Sequence, residues 1–502
     1  MTRRSMQVAL VLGALVLLVL ALGQLPSTAP AEWGTASLVI VLLALVVSVG
    51  GVWVRTVESV LTLVFVLLYL VPQNYVLVGP LRSAGNPAVL LGMTALALWT
   101  AGRLLGQVTA QRSHPARWTI AAFVLATCTA FAAGMMRPLT SIESSGATRV
   151  LFPLAAVVGI ALLACDGLTE ASQVNALIQR VVIIGAIAAA IGIIEFAVPS
   201  FSYRTLAHLP GLTTNTELIA DTRSGFRRVN GGAAHPIEYS LAEAALVPLA
   251  LHLVYHAATR AARVLNLVAL GLLLAVVPMT VSRSGIVCLA IGIGWYMVHL
   301  NGRARLNLIA LGVVGLGAMR GAAPGLLGTL SSLLLVGSAD PSIRGRTSDY
   351  GKIPQLMDGH WVFGRGLGTF QPNQYFFLDN QYLGSLLEGG VVGLSAFIAV
   401  LVVGMGLARG VRRRATCEVT RGLGQALSAS IAALAAGAAL FDELSFRQTG
   451  FLLFLLFGVS GALWTIVRRG PAPDELAGAD PKGASEGSAP APGHDVLEPL
   501  HA

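Results

Sequence analysis

Arg344, Arg346, Asp349, Tyr350, Lys352, Asp358, His360, Trp361 and Asp379 lie in one long stretch, residues 322–389, between two apolar segments. A polar interruption of this length between helices is more often functional than a plain connector. A second polar stretch, 199–235, carries Arg204, Arg223, Arg227 and Arg228, and Arg283 stands in the short turn VSRSG between two apolar runs. Guanidinium groups stay charged and present a planar fork that fits phosphate oxygens in pairs. Several of them converging would hold an anion such as a lipid-linked pyrophosphate. The competing reading is that they solvate loops or touch lipid headgroups, with Arg283 merely snorkelling.

Acids and histidines could supply proton transfer. Asp379 precedes an apolar helix and could take a proton from a sugar hydroxyl, but Asp379 and Asn380 are also both good helix N-caps. His235 and Glu238 are spaced i,i+3 at the mouth of another helix. Glu243 lies deeper in that helix, where a charge demands a wet cavity or an arginine partner. His252 and His256 share a face but have no nearby acid, so a structural role is expected rather than a metal site. Asp442 and Glu443 are read as partners of Arg447, with acceptor-sugar binding as the alternative.

The elements that must position these groups are membrane helices. The chain has 502 residues, 55% hydrophobic and 11% charged, far below the roughly 25% charge of soluble domains. Runs of about 20 apolar residues predict an all-α polytopic protein of about 14 transmembrane helices. These fall near 7–23, 35–53, 57–76, 86–102, 118–135, 148–165, 177–198, 236–256, 263–281, 284–300, 305–320, 387–408, 422–440 and 449–467. The first is read as an uncleaved helix rather than a signal peptide.

Arginines recur in alternate connections: Arg3 and Arg4, Arg55, Arg103, Arg112 and Arg117, Arg260 and Arg263, Arg303 and Arg305, the basic run 409–421, and Arg468 and Arg469. By the positive-inside rule both termini are cytoplasmic, and loops 199–235 and 321–386 face outward. The membrane domain then spans 1–469, with those two loops forming the site between helices. The Pro-, Gly- and acid-rich tail 470–502 is expected to be disordered in the cytoplasm. Segment 324–337 is expected to lie along or partway into the membrane surface, and Pro354 to break the short helices that follow. GRGLGTF (364–370) is a glycine turn and a weak phosphate-loop match.

The net charge of +9 is accounted for by those basic loops, and no nucleic-acid partner is expected. The four cysteines show no metal or disulfide spacing, so neither metal nor cofactor is expected.

Four motifs in order resemble the O-antigen ligase and O-antigen polymerase superfamily of bacterial envelopes. They are RRVNGGAAHPIEYSLAEAALVPL, SRSG (282–285), RTSDYGKIPQLMDGHWVFGRGLGTF and DNQYLGSLLEGGVVGL. The resemblance implies a metal-independent, inverting glycosyltransferase in the bacterial plasma membrane. It would move a glycan from a polyprenyl-pyrophosphate carrier to a glycan or lipid-linked acceptor at the outer face. Carried over by motif, Arg283 and Arg346 hold the pyrophosphate, with Arg228 and Arg344 nearby. Ligases of this kind have a histidine at the start of the fourth motif. Here Asp379 stands there as the candidate base, with His235 in reserve, and Tyr350 replaces the usual tryptophan. Glu238, Glu243, Tyr350 and Asn380 are assigned acceptor or supporting roles. The missing histidine tilts the reading to a polysaccharide polymerase, which leaves room for a chain-length regulator as partner. The alternative is a ligase that attaches a finished glycan to another envelope acceptor. A flippase of lipid-linked sugars, from another class, would call for repeated helix sets and broken helices with midplane polar sites. A metal-dependent lipid-sugar transferase would need an acidic pair in the first outer loop, where Glu32 stands alone.

Overall fold

The computed structural model describes residues 56–77, 85–106, 114–198, 200–203, 212–214, 222–223, 226–322, 325 and 350–470. The expected spans 7–23 and 35–53, Arg204, Arg344, Arg346, nearly all of 324–337 and the tail beyond Gly470 lie outside the described residues.

The described residues are mostly helical. The helices are α1 (Val57–Leu70), α2 (Pro87–Leu104), α3 (Pro115–Met135), α4 (Ser141–Gly167), α5 (Ala171–Ala197), α6 (Pro236–Tyr255), α7 (Arg260–Met279), α8 (Arg283–Met297), α9 (Gly302–Ala322), the single turn α10 (Ile353–Leu356), α11 (Gln381–Arg414), α12 (Glu418–Ala438) and α13 (Arg447–Arg469). Each expected span that falls on described residues has its helix here. Eight of these helices are long and apolar enough to cross a membrane: α2 to α7, α11 and α13. Two small antiparallel pairs accompany them. Strand β1 (Tyr75–Leu77) pairs with β2 (Leu212–Thr214), with Tyr75 opposite Thr214, and β3 (Thr222–Arg223) pairs with β4 (Phe226–Arg227).

Helix starts follow local chemistry. Thr140 and Glu143 close a reciprocal capping box on α4, at 3.2 and 3.0 Å, which satisfies two orphan amides. Proline at the first turn of α2, α3 and α6 uses a position where no amide donor is needed.

Burial sorts the helices into two layers. The most apolar window of α6 is 89% buried, against 33% for α7. α6, α12 and α13 therefore form the interior, and α7 shows an outer face of Val264, Leu265, Leu267 and Val268, as expected where lipid is the solvent. α6 packs on α5, α7, α8 and α12, while α13 packs on α4 and α11. The chain is a multi-pass membrane protein.

α11 is two helices end to end. Gly390 sits at φ +65° and ψ −163°, inside what is otherwise one 34-residue helix. The break leaves backbone groups without intrahelical partners, and loop 361–366 supplies them. The amides of Arg365 and Gly366 donate to the carbonyls of Leu387 and Glu388 at 2.8 and 3.1 Å. The amides of Val391 and Val392 donate to Trp361 and Val362 at 2.9 and 3.2 Å.

Candidate functional site

The starts of α4, α6, α8, α11 and α13 meet at one end of the bundle, around a cavity of about 1140 Å³. Arg228, His235, Arg283, Asp379, Asp442 and Arg447 all line it, with residues of α3 and α4 on the opposite wall.

Arg283 is presented by a strained turn. Val281 is fully buried with φ +51°, a conformation that is an outlier for a β-branched residue and that typically survives only where surroundings enforce it. The buried Arg228 helps enforce it, its Nε donating to the Thr280 carbonyl at 3.0 Å. Ser282 then caps α8 by accepting from the Gly285 amide at 3.4 Å. A Cβ on Gly285 would stand 2.5 Å from Ser240 Cβ, so glycine lets α8 approach α6 there. Within SRSG, Ser282 caps α8 and Gly285 admits the close approach to α6, while Arg283 lines the cavity together with Ser282 and Ser284.

His235 is the N-cap of α6, its Nδ1 accepting from the Ile237 amide at 3.1 Å. Its ring lies against Phe441 and Phe446, with centroids 6.1 and 6.0 Å away. An Nδ1 that accepts a hydrogen bond places the proton of neutral imidazole on Nε2. In this arrangement Nε2 is a donor, not a base.

Asp379 and Asn380 divide the two tasks anticipated for them. Asn380 is the N-cap of α11, accepting from the Leu383 amide at 3.1 Å, and its Nδ2 donates to Tyr350 Oη at 3.3 Å. Asp379 is left to line the cavity. Tyr350 supports the cap and is not among the cavity's lining residues. Gln381 ties the head of α11 to the turn before α13. Its amide donates to the Phe441 carbonyl at 3.2 Å, and its Oε1 accepts from the Leu444 amide at 2.6 Å.

That turn brings Asp442 beside Asp379. Burial raises the Asp442 carboxyl and the Asp379 charge raises it further, against a hydrogen bond to Ser445, so that it is pushed up to about 6. Burial and the Asp442 charge push Glu443 well up in the same direction. The expected pairing of these acids with Arg447 is not made. Arg447 Nη1 instead reaches the Gln73 carbonyl at 3.3 Å.

Glu238 and Glu243 stand apart from the cavity. Glu238 is fully buried and accepts from the amides of Ala234 (2.9 Å) and Gln448 (2.8 Å), which joins the start of α6 to the start of α13. Glu243 is fully buried, its Oε2 3.2 Å from where a Cβ on Gly185 would stand. It does not line this cavity, and among the described residues its carboxylate oxygens have no hydrogen-bond partner. The rings of His252 and His256 lie tilted with centroids 4.7 Å apart near the opposite end. No group of three or more metal-ligating side chains occurs among the described residues.

Glycines 364, 366 and 368 serve close packing. A Cβ at Gly364 would lie 2.3 Å from Glu388 C and O, one at Gly366 2.5 Å from Gly134 Cα, and one at Gly368 2.8 Å from the Gly146 carbonyl. The Glu388 side chain accepts from the Phe370 amide at 3.3 Å. The third and fourth motifs are thus the two halves of one joint, built around the break in α11.

The family model described as O-antigen ligase matches residues 267–398, a segment that holds Arg283, Asp379 and this joint. Over this segment the chain is similar to the O-antigen ligase and polymerase superfamily, as its four motifs led us to expect. No curated protein matches it. The match and the apolar helices together support a membrane enzyme that processes glycans. Arg228, His235 and Asp442 lie outside the matched segment, yet they share the cavity with Arg283 and Asp379.

Several residues here carried no functional assignment in the sequence. Arg137, Glu143, Tyr375 and Arg365 form one network. Arg137 Nη2 reaches Glu143 Oε1 at 2.8 Å, Tyr375 Oη donates to Glu143 Oε1 at 2.9 Å, and Arg365 Nη2 donates to Tyr375 Oη at 2.8 Å. It ties the loop of the third motif to α4. Arg149, on α4, also lines the cavity. A cation beside an apolar run was its only signal.

Proposed function

We propose that this chain is an inverting glycosyltransferase that moves a glycan from a polyprenyl-pyrophosphate carrier to an acceptor sugar hydroxyl, most fittingly as a cell-surface polysaccharide polymerase. One observation carries the reading: a single cavity in a membrane enzyme is lined by four arginines, Arg149, Arg228, Arg283 and Arg447, and by a carboxylate, Asp379, whose neighbour Asn380 takes the capping role.

Arg228 and Arg283 hold the pyrophosphate and stabilise the charge it gains as the glycosidic C–O bond breaks. Arg344 and Arg346 are proposed as further ligands. The acceptor oxygen attacks the anomeric carbon from the opposite face, inverting it, while Asp379 takes the hydroxyl proton. His235 is the weaker candidate for the base, because its Nδ1 lone pair caps α6. The arginine-rich connections lie at the other end of the bundle. By the positive-inside rule this puts the cavity at the outer face and the C-terminus in the cytoplasm. The break in α11 does not favour a flippase, since loop 361–366 fills it with backbone rather than leaving it open to a ligand.

The test is purified protein incubated in EDTA with a polyprenyl-pyrophosphate-linked oligosaccharide, comparing wild type with Arg283→Ala, Arg346→Ala and Asp379→Asn. Release of polyprenyl pyrophosphate and a glycan ladder are expected, with each variant slowed on the order of 10²-fold or more. Addition of a single block favours the ligase. No release from any donor, with labelled lipid crossing a vesicle membrane, replaces the reading by a flippase.

A further inference from the structure

At the end of the bundle away from the cavity, two imidazoles point at one gap between helices. His252 lies in the last turn of α6 and His256 is its C-cap, so the two share a face of that helix. α6 packs on α12, and the α12 residue that meets both rings is Gly422. A Cβ on Gly422 would stand 2.6 Å from His256 Nε2 and 3.0 Å from His252 Nδ1. Glycine thus leaves open the place where a methyl group would sit, and one nitrogen of each ring faces it.

That gap calls for a polar occupant. His252 is buried to 1% exposure, and its Nδ1 has no hydrogen-bond partner among the described residues. A polar atom buried in this way is costly unless something satisfies it. His256 is only half-buried, so the gap opens toward the aqueous side. Glu418 stands one turn before Gly422 on α12, exposed, and holds Arg421 at 2.6 Å in a surface pair of little strength. Burial lowers the His256 pKa and the Glu418 charge opposes that shift. At neutral pH the ring is therefore in the neutral form that a metal ion takes as ligand. The acid missing from the sequence around the two histidines comes from another helix.

From this geometry we infer that His252 Nδ1 and His256 Nε2 bind a divalent transition-metal cation of the zinc class in the gap beside Gly422, with the Glu418 carboxylate and water as its remaining ligands. Imidazole nitrogen suits zinc, copper and nickel. A zinc–nitrogen bond of about 2.0–2.1 Å is shorter than either distance to the gap, so each ring closes on the ion by about an ångström or less. Two imidazoles make an open, exchangeable site rather than a closed structural centre. The ion ties the far end of α6 to α12 and takes no part in glycosyl transfer, because the cavity lies at the other end of both helices.

Titration calorimetry with zinc chloride tests the inference on the full chain in detergent, free of any affinity tag and stripped of metal beforehand. Wild type should bind one zinc ion per chain, more weakly as pH falls because protons compete for the imidazoles. His256→Gln should weaken binding by about tenfold or more, since losing even an outer partner of a ligand costs that much. Gly422→Ala should do the same with both histidines in place, because its Cβ takes the ion's position. His299→Gln, beyond the far end of α8, should change nothing. Saturating zinc should raise the Tm of wild type and leave that of His256→Gln where it was. The half-buried His256 keeps the test open if Gly422→Ala does not fold. No bound zinc in wild type, unchanged affinity in His256→Gln, or unchanged affinity in a folded Gly422→Ala overturns the inference and leaves the gap to a water molecule. None of these readouts uses turnover, so they stand or fall apart from the glycosyltransferase reading.

Discussion

A Cβ on Gly390 would stand 2.3 Å from the carbonyl oxygen of Val362. The two residues are far apart in sequence, yet each completes the other's element. Gly390 at φ +65° divides α11, and the segment around Val362 satisfies the backbone groups the division exposes. Both sides of the contact are backbone, so no side-chain adjustment can make room.

Gly390→Ala should therefore destabilise the protein by about 3 kcal/mol or more, through the positive φ and the clash together. Asp379 stands at the head of the helix that Gly390 divides, so activity should fall with stability. Thermal unfolding in detergent measures the first and polyprenyl-pyrophosphate release the second. An alanine variant as stable as wild type would mean that α11 can straighten.

His235 separates a cap from a base. His235→Ala should lose about 1 kcal/mol of stability with the α6 cap, and His235→Asn should recover most of it. Both should keep turnover within about tenfold of wild type. A folded His235→Asn protein with no turnover would transfer the base from Asp379 to His235.

Glu143 accepts from both Arg137 and Tyr375 while completing the α4 capping box. Its removal leaves the mostly buried Arg137 guanidinium without its carboxylate. Glu143→Ala should cost about 3 kcal/mol, and Tyr375→Phe about 1 kcal/mol. Equal losses in the two variants would show that the ion pair adds nothing to the hydroxyl bond.

Asp442 gives the folded protein a pH dependence of known sign. Its carboxyl titrates near 6 when folded and near 3.8 when free. Between those values the folded chain binds more protons than the unfolded one, so stability falls as pH rises through the interval. The loss is at most about 3 kcal/mol. Asp442→Asn should abolish it, bringing the melting temperatures at pH 4.5 and pH 7.5 closer together than in wild type. An unchanged gap would assign the dependence to Glu443 or another group.

Much of the fold was legible in the chain. Lipid allows few structures, and a helix that must satisfy its own backbone in hydrocarbon announces itself as an apolar run. Every expected span that falls on described residues has its helix. Arg283 and Asp379 stood out for a related reason, since charge beside an apolar run is rare unless it has a task, and both line the cavity. Asn380 as the cap and Asp379 as a cavity-lining carboxylate is one of the divisions anticipated for that pair.

What the sequence could not specify were the distances between its motifs. Glycines 364, 366 and 368 look like a turn or a weak phosphate loop until helix–backbone contacts show why a Cβ is forbidden at each. Asp442 and Glu443 lie five and four residues before Arg447, and proximity in the chain suggested an ion pair. Packing instead turned Arg447 toward the Gln73 carbonyl and Asp442 toward Asp379. Glu238 became a cap for α13, two hundred residues away. Hydrophobic periodicity is local and survives in one dimension, so the amino-acid sequence by itself determined the helices and their membrane setting. Which charges share a cavity depends on how those helices pack, and that only the tertiary structure decided.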